Sequence, residues 1–377
     1  MKLSEEHSLI RDSVRRFTKN EIIPFAEQMD RDDYLEDIFL KFGSLGILGI
    51  TIPEEYGGVG GDLLSQVLIT EELAKGSGGI ALSYVAHSNL CAHNLHTHGN
   101  EFQRKKYLPY LCTGEKIGAL GLTEPEAGSD AMGIQTKAVR DGDIFRLNGT
   151  KTFITNAPIA DTFLIYTKTP NTNRSKAITA FIVERSFTGL STSEKFEKMG
   201  CKPSPTGEVV LDDCIVPVEN VLGEENDGVS VMMAGLDIER VAVAAISLGI
   251  AESAFEDSLK YSKIRKQFGQ PICNFQLIQA KLADMYTGIA AARLLVYDTA
   301  IRSDREEKLR KESAAAVLFT AEMATKICLE AIQIYGGYGY MLESAVSRYL
   351  MDAKLLEIGA GTAEIRRILI AKELLKH

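Results

Sequence analysis

The sequence predicts an α+β chain in three parts: an N-terminal helical domain over residues 1–117, a central β domain over 118–225, and a C-terminal four-helix bundle over 226–377. Two observations carry this division. Apolar residues recur at helical spacing in the first and last thirds, whereas the middle is rich in β-branched and aromatic runs broken by turn dipeptides. The helical stretches of the last third are long and joined by short connections, as in a bundle. A chain of 377 residues is also long for one core, which favours several domains.

In the first part, Ser4 is a candidate N-cap with Glu5 and Glu6 in the first turn, where acids favour the helix dipole. Ile10, Val14 and Phe17 follow at spacings of four and three, and Pro24 ends or kinks the element. The run from Pro53 to Gly61 is a loop, and Asp62–Lys75 and Ile80–His98 are helical. In the middle part, Asp141-Gly142 and Asn148-Gly149 are hairpin turn signals, and Thr162–Lys168, Ala177–Val183 and the shorter Glu208–Leu211 are strands. In the last part, Val241, Ala245, Leu248, Ala251, Phe255 and Leu259 mark a helical stripe. A second helix is expected from about Phe275 to Ser303, and a third from about Glu312 to the stop at Gly336-Gly337.

Composition narrows the function. Lys plus Arg is 42 against 51 Asp plus Glu, a net charge of −9, which argues against a nucleic-acid or anionic-membrane partner. The longest clean apolar run, Val241–Ala251, is too short to span a bilayer. Met1 leads straight into Lys2-Leu3-Ser4-Glu5-Glu6, so no leader peptide is expected. The six cysteines form no Cys-x-x-Cys pair and read as reduced thiols of a cytoplasmic protein. His87, His93, His96 and His98 crowd one region without the further ligands of a metal site, so no metal is expected. Neither a Gly-x-Gly-x-x-Gly after a strand nor a Walker loop occurs, which disfavours Rossmann and P-loop nucleotide sites.

Six motifs in order do carry chemistry. They are Gly121-Leu122-Thr123-Glu124-Pro125-Glu126-Ala127-Gly128-Ser129-Asp130, Lys151-Thr152-Phe153-Ile154-Thr155-Asn156-Ala157, Arg265-Lys266-Gln267-Phe268-Gly269, Gln276, Gln333-Ile334-Tyr335-Gly336-Gly337 and Gly361-Thr362-Ala363-Glu364. Together they resemble the acyl-CoA dehydrogenase family over essentially the whole chain. Ser83–Cys91 and Glu357-Ile358-Gly359-Ala360-Gly361-Thr362 are most similar to its isovaleryl-CoA dehydrogenase branch.

The resemblance implies a three-domain protomer that holds FAD, assembles as a homotetramer, acts on an acyl-CoA and passes electrons to an electron-transfer flavoprotein. It implies that Leu122 and Thr123 meet the flavin ring, with Phe153, Ile154 and Thr155 against it. Arg265, Phe268 and Gln276 would reach the dinucleotide from a neighbouring subunit, Gln333, Gly336 and Gly337 would reach it across an interface, and Thr362 and Glu364 would contact it near the catalytic loop. Ser129, Asp237 and Arg240 would border the CoA thioester arm, and the Ala360 backbone N–H would polarise the thioester oxygen.

One position departs from the common pattern. Most of the family places the catalytic base at the position of Ala360, and the isovaleryl and long-chain branches place it in an Asp-x-Glu-Arg segment, which here is Asp237-Ile238-Glu239-Arg240. Glu239 is therefore the expected base. Arg240 adjoins it, but adjacent helical residues point about 100° apart, so no direct ion pair is expected. Gly359, Ala360 and Gly361 are small, Leu356 stands where the branch tends to carry Tyr, and Val243 replaces a larger residue one turn after Glu239. These replacements imply a pocket for a branched or bulky acyl group. A substituted dicarboxylic (succinyl-type), cyclic or aryl acyl group is the alternative, with Lys202 either in a structural contact or facing a substrate carboxylate. From other classes, the absent Glu at 360 raises a catalytically silent acyl-CoA-binding flavoprotein, and the fold also hosts flavin oxidases or monooxygenases.

Overall fold

Capping chemistry starts the chain as the sequence leads one to expect. In the computed structural model, which describes residues 3–32, 37–170, 177–305 and 309–376, helix α1 (Glu5–Phe17) opens with Ser4 Oγ accepting from the His7 N–H. Met1 and Lys2, on which the leader reading partly rests, lie outside the described residues. Short helices α2 (Ala26–Asp32) and α3 (Ile38–Ser44) follow, with Pro24 inside a 3₁₀ turn between α1 and α2. Helix α4 (Leu63–Gly76) is capped by Asp62, which accepts from the Ser65 N–H at 2.8 Å and pairs with His7 at 2.9 Å. The stretch predicted as one helix from Ile80 to His98 forms a continuous rod of α5 (Gly78–Val85), a π segment (Ala86–His93) and α6 (Asn94–His98). Helix α7 (Glu101–Thr113) begins with a capping box between Asn100 and Gln103.

The middle of the chain is one twisted sheet. Its strands are β1 (Gly118–Gly121), β2 (Lys137–Asp141), β3 (Ile144–Thr155), β4 (Thr162–Lys168), β5 (Ile178–Glu184), β6 (Leu190–Thr192), β7 (Thr206–Pro217) and β8 (Val221–Leu222). The order is β6-β7-β3-β2-β4-β5-β8, with β1 parallel to β4. The Asp141-Gly142 signal makes the β2–β3 hairpin, with Gly142 at φ 62°. The Asn148-Gly149 signal does not make a turn. It lies inside β3 at a register shift against β7, where a Cβ on Gly149 would sit 2.5 Å from Thr136 Oγ1, so the glycine serves close packing rather than chain reversal. The short strand expected at Glu208–Leu211 grows into the twelve-residue β7, because Asp212 and Asp213 interrupt the apolar pattern without ending the strand.

The last part holds α8 (Gly228–Ile264), a two-residue ribbon of β9 (Lys266–Gln267) and β10 (Gln270–Pro271), α9 (Gln276–Ser303), α10 (Arg310–Tyr335), α11 (Ala345–Leu356) and α12 (Ala363–Leu374). Helix α8 has 37 residues, about 55 Å of rod. It starts well before the predicted apolar stripe, and this extension carries Asp237 and Glu239 into the middle of a helix rather than its end. Helix α10 stops at Gly336, at φ 63°, whose N–H turns back to the Gln333 carbonyl.

The two helical parts share one apolar core. Val67 and Leu73 of α4, Val241 and Leu248 of α8 and Ala321 of α10 belong to the same buried cluster. Gly249 makes the approach possible: a Cβ there would lie 2.2 Å from the Glu71 carbonyl oxygen. The buried acids of α4 are matched, Glu71 across this seam and Glu72 within the N-terminal part. Glu71 accepts from Tyr297 at 2.7 Å and pairs with Arg293 at 3.1 Å, and Glu72 pairs with Arg15 at 2.7 Å. Burial pushes Glu71 up to about 7 despite the Arg293 charge. A second knot joins all three parts of the chain at Asp352 on α11, whose Oδ1 accepts from the Cys201 N–H at 2.6 Å. The same carboxylate accepts from the Gly78 N–H at the start of α5, and burial pushes it up to about 7.

Candidate active site

Three groups of residues converge on what the sequence marked as chemistry. The first lies on α8. Glu239 is 9% exposed, in a stretch where Gly235, one turn earlier, lets Asn94 of the π-containing rod pack against the helix backbone. Burial pushes the Glu239 carboxyl up to about 7, and the Arg240 and Arg366 charges pull it back. Arg240 does not pair with Glu239. Its Nη1 lies 2.5 Å from Asp237 Oδ1, three residues back on the same helix, as the angular argument requires. Val243, one turn beyond Glu239, is buried.

The second group is the loop from α11 to α12. Leu356 ends α11 fully buried, and Gly359, Ala360 and Gly361 follow half-buried. Ala360 has φ 54° and Gly361 φ 87°, two successive residues in the left-handed region. For an alanine this costs roughly 1–2 kcal/mol, and such strain concentrates at functional sites. Thr362 then caps α12, its Oγ1 accepting from the Ile365 N–H at 3.3 Å, with Glu364 exposed in the first turn. Among the described hydrogen bonds none uses the Ala360 N–H, so this donor is available to a ligand.

The residue that organises this loop was not singled out from the sequence. Arg366, on α12, is 1% exposed. Its Nη2 donates to the Leu356 carbonyl at 2.9 Å and to the Gly359 carbonyl at 2.5 Å. Its only trace in the sequence is an arginine three residues after Ala363 in a helical stretch, which does not distinguish it from a solvated one.

The third group is a sheet edge. Lys151 and Glu124 form an ion pair at 2.6 Å with side chains 0% and 4% exposed. Lys151 also donates to the Leu122 carbonyl at 3.1 Å, and the Thr136 N–H donates to Glu124 at 3.0 Å. The Thr152 N–H donates to the Thr123 carbonyl at 2.9 Å. Beyond Lys151 the β3–β7 register shifts, and Phe153 sits at φ 57° with its ring 69% exposed. Ile154 is buried beneath it, and Thr155 rejoins the ladder opposite Thr206. Asn156 then ties the edge to the helices, its Nδ2 donating to the Ser83 carbonyl at 3.0 Å. Ser129 lies exposed on the bend after Glu124.

The remaining motifs gather on the bundle surface. The Arg265 guanidinium lies 5.6 Å from the Tyr338 ring centre, which brings the Arg265 segment beside Gly336 and Gly337. Phe268, at φ 51°, is 92% exposed and packs edge-on against Phe275, next to exposed Gln276. Gln333 is exposed too, and nothing within 4 Å would meet a Cβ on Gly336 or Gly337. The residues sequence reasoning assigned to the cofactor thus form two surfaces, one on the sheet and one on the bundle. An exposed aromatic at a broken ladder suits a flat ring, and an open glycine pair beside an arginine suits a pyrophosphate, so the residues present fit FAD.

Lys202 is exposed, and its charge acts on Asp30 of α2, which also pairs with Arg348 at 3.7 Å. Of the crowded histidines, His87 is fully buried; its Nδ1 accepts from the Gly118 N–H at 3.0 Å and its Nε2 donates to the Leu111 carbonyl at 2.9 Å. Burial pushes it down to about 4, so it is a neutral strut.

The chain was compared with known proteins. The acyl-CoA dehydrogenase N-terminal domain matches residues 4–115, the middle domain 119–214 and the C-terminal domain 226–375. Mitochondrial isovaleryl-CoA dehydrogenase of Pongo abelii is 45% identical over 375 residues, covering 98% of this chain and 89% of that protein. The butyryl-CoA dehydrogenase structure from Megasphaera elsdenii superposes with a TM-score of 0.97 at 40% identity, covering 100% of both chains. A glutaryl-CoA dehydrogenase of Mycobacterium smegmatis in complex with FADH2 superposes at 0.94 with 29% identity, covering 99% of this chain and 95% of that one. Helical, sheet and bundle parts follow one another in the family's order, and three domain matches run almost end to end: the chain belongs to the acyl-CoA dehydrogenase family.

Proposed function

We propose that this FAD-dependent acyl-CoA dehydrogenase converts a branched or bulky acyl-CoA to its 2,3-enoyl-CoA with Glu239 as the base. One observation carries the reading. Position 360 offers only a methyl group and a free backbone N–H, while the carboxyl of Glu239 is buried on α8 and raised to about 7.

When bound, FAD supplies the acceptor for the β-hydrogen that leaves as hydride. The chain does the rest. Glu239, ionised above pH 7, takes the α-proton, and burial makes its carboxylate basic enough to do so. The Ala360 N–H donates to the thioester oxygen as charge develops there. Its strained φ is fixed before substrate arrives, so little reorganisation is required during the step. Asp237 and Arg240, locked together, and Ser129 border the CoA arm, while Val243, Leu356, Gly359 and Gly361 shape the space for the acyl chain.

Leu122, Thr123, Phe153, Ile154 and Thr155 hold the ring of FAD, and Thr362 and Glu364 hold it near the loop. Arg265, Phe268, Gln276, Gln333, Gly336 and Gly337 serve the dinucleotide of a neighbouring subunit in a homotetramer. Their exposure on the protomer supports this. Arg265→Ala is expected to lower FAD content and shift the assembly to smaller species together, read by flavin absorbance and light scattering. Among the described residues no helix is long and apolar enough to cross a membrane, and the reading places the enzyme in the cytoplasm with an electron-transfer flavoprotein as acceptor.

Anaerobic bleaching of the flavin by a panel of acyl-CoA thioesters tests the function. Bulkier 2- or 3-substituted thioesters are expected to match or exceed isovaleryl-CoA in kcat/KM, each extra buried methylene adding about 0.8 kcal/mol of apolar contact. A clear preference for isovaleryl-CoA overturns the bulky-substrate reading. No bleaching by any thioester would instead identify a silent binding protein.

A further inference from the structure

We propose that Arg366 is the positioning residue that couples the base to the oxyanion loop, holding Glu239 and the Ala360 turn in one geometry through a single buried guanidinium. The inference deepens the assignment of Glu239 as base and rests on it. Arg366 is among the largest fully buried side chains of the protein. A buried guanidinium is stable only where its charge and donors are matched. One edge is matched by the loop: Nη2 bridges the Leu356 and Gly359 carbonyls, the last turn of α11 and the residue just before Ala360. These are carbonyls at the negative end of a helix, where a cation is favoured. The other edge is not matched. Nε and Nη1 are buried without a hydrogen-bond partner.

The acidic group whose charge acts most on this guanidinium is Glu239, itself buried on α8. Arg366 of α12 draws the Glu239 carboxyl down, and Glu239 holds the guanidinium up against burial. Other charges facing the pair are Arg240 on α8, Glu322 on α10 and Glu357 in the loop. Tyr166 on β4 faces Glu239 from the sheet. Arg240 is already held by Asp237. Arg366 therefore faces two groups that must cooperate in one step, the acceptor of the α-proton and the loop that carries the thioester-polarising N–H. A planar fork with five donors can satisfy both edges, whereas a lysine supplies the charge without the bridge.

The test uses the FAD-loaded enzyme and three variants. In Arg366→Gln the pH profile of single-turnover flavin reduction by isovaleryl-CoA is expected to move alkaline by roughly one pH unit, a loss of about five-fold at pH 7 that recovers at higher pH. In Arg366→Lys the midpoint is expected to stay near that of the parent while the rate falls at every pH. A stability cycle gives a readout independent of turnover: Glu239→Gln introduced into Arg366→Gln is expected to raise its melting temperature by more than the same change raises the parent's. An unmoved midpoint together with an additive cycle overturns the proposal and leaves Arg366 a purely structural residue. If Glu239→Gln alone still reduces the flavin at the parent rate, it is the base assignment that fails, and the cycle still reports whether the two side chains are coupled.

Discussion

Glu239→Gln is expected to lower flavin reduction by acyl-CoA by a factor of at least 10² to 10⁴, the range that a positioned general base contributes, while FAD and acyl-CoA remain bound. Glutamine keeps the shape and removes the proton acceptor. Stopped-flow bleaching under anaerobic conditions measures it, and near-normal reduction would remove Glu239 from the mechanism. The parent rate is expected to rise with pH through about 7 as the carboxyl ionises. Stability moves the opposite way. The folded carboxyl is raised above the ordinary value of 4.5, so its contribution is complete below that value and is lost as pH rises through about 7. Glutamine does not ionise. The variant is therefore expected to gain on the parent between pH 5 and pH 8, by up to about 3 kcal/mol in thermal or denaturant unfolding. The enzyme trades stability at working pH for a poised base.

Lys151→Met is expected to be the most destabilising single change at the flavin edge. It leaves the Glu124 carboxylate 4% exposed and without its cation. Removing one partner of a buried pair costs about 3–5 kcal/mol, more than the pair itself contributes. The Leu122 carbonyl also loses its donor, so FAD is expected to dissociate more readily. Pairing the change with Glu124→Leu is expected to recover most of the melting temperature and less of the FAD affinity, because the apolar pair restores packing but not the hold on Leu122. Equal melting temperatures of Lys151→Met and the parent would show that the pair is not structurally important.

Much of this was legible in the residues. Long helices were, because their period is strong and caps such as Ser4 mark their starts. Strand β4 was found at its observed ends. Asn148-Gly149 was misread because the dipeptide signals local backbone freedom, and only the packing of Thr136 decides whether that freedom makes a turn or a bulge. The π segment at Ala86–His93 was invisible because the segment is buried nearly all round, so no one-sided apolar stripe shows the rotation that i→i+5 bonding brings. In the site, Ala360 pointed to Glu239 by what it lacks, and the structure adds that Glu239 is buried and that Ala360 sits in the left-handed region. Arg366 was not legible. Beside Arg367 and Lys372 it looks like part of a solvated basic face, and its burial depends on how α12 packs on α10 and on the loop carbonyls of Leu356 and Gly359. The Lys151–Glu124 pair was hidden similarly, since neither charge announces that it will meet the other inside the sheet.

The seam between α4 and α8 has a consequence for how the chain reaches this state. The core that Val67 shares with Val241 is split by the whole sheet, so its halves leave the ribosome nearly half a chain apart. Until α8 and α9 arrive, α4 has only its N-terminal neighbours to cover Leu64, Val67, Leu68 and Leu73; Glu72 already has Arg15 of α1, but Glu71 awaits Arg293. Closing so large a loop is costly in entropy, and ordering in between is the cheapest remedy. The sheet, whose β2–β3, β4–β5 and β6–β7 pairings join consecutive strands, can order first and shorten the gap, bringing the two helical ends together before they meet. The β domain would then serve the nascent chain as a brace for its own two ends, as well as serving the finished enzyme as the floor of the flavin site.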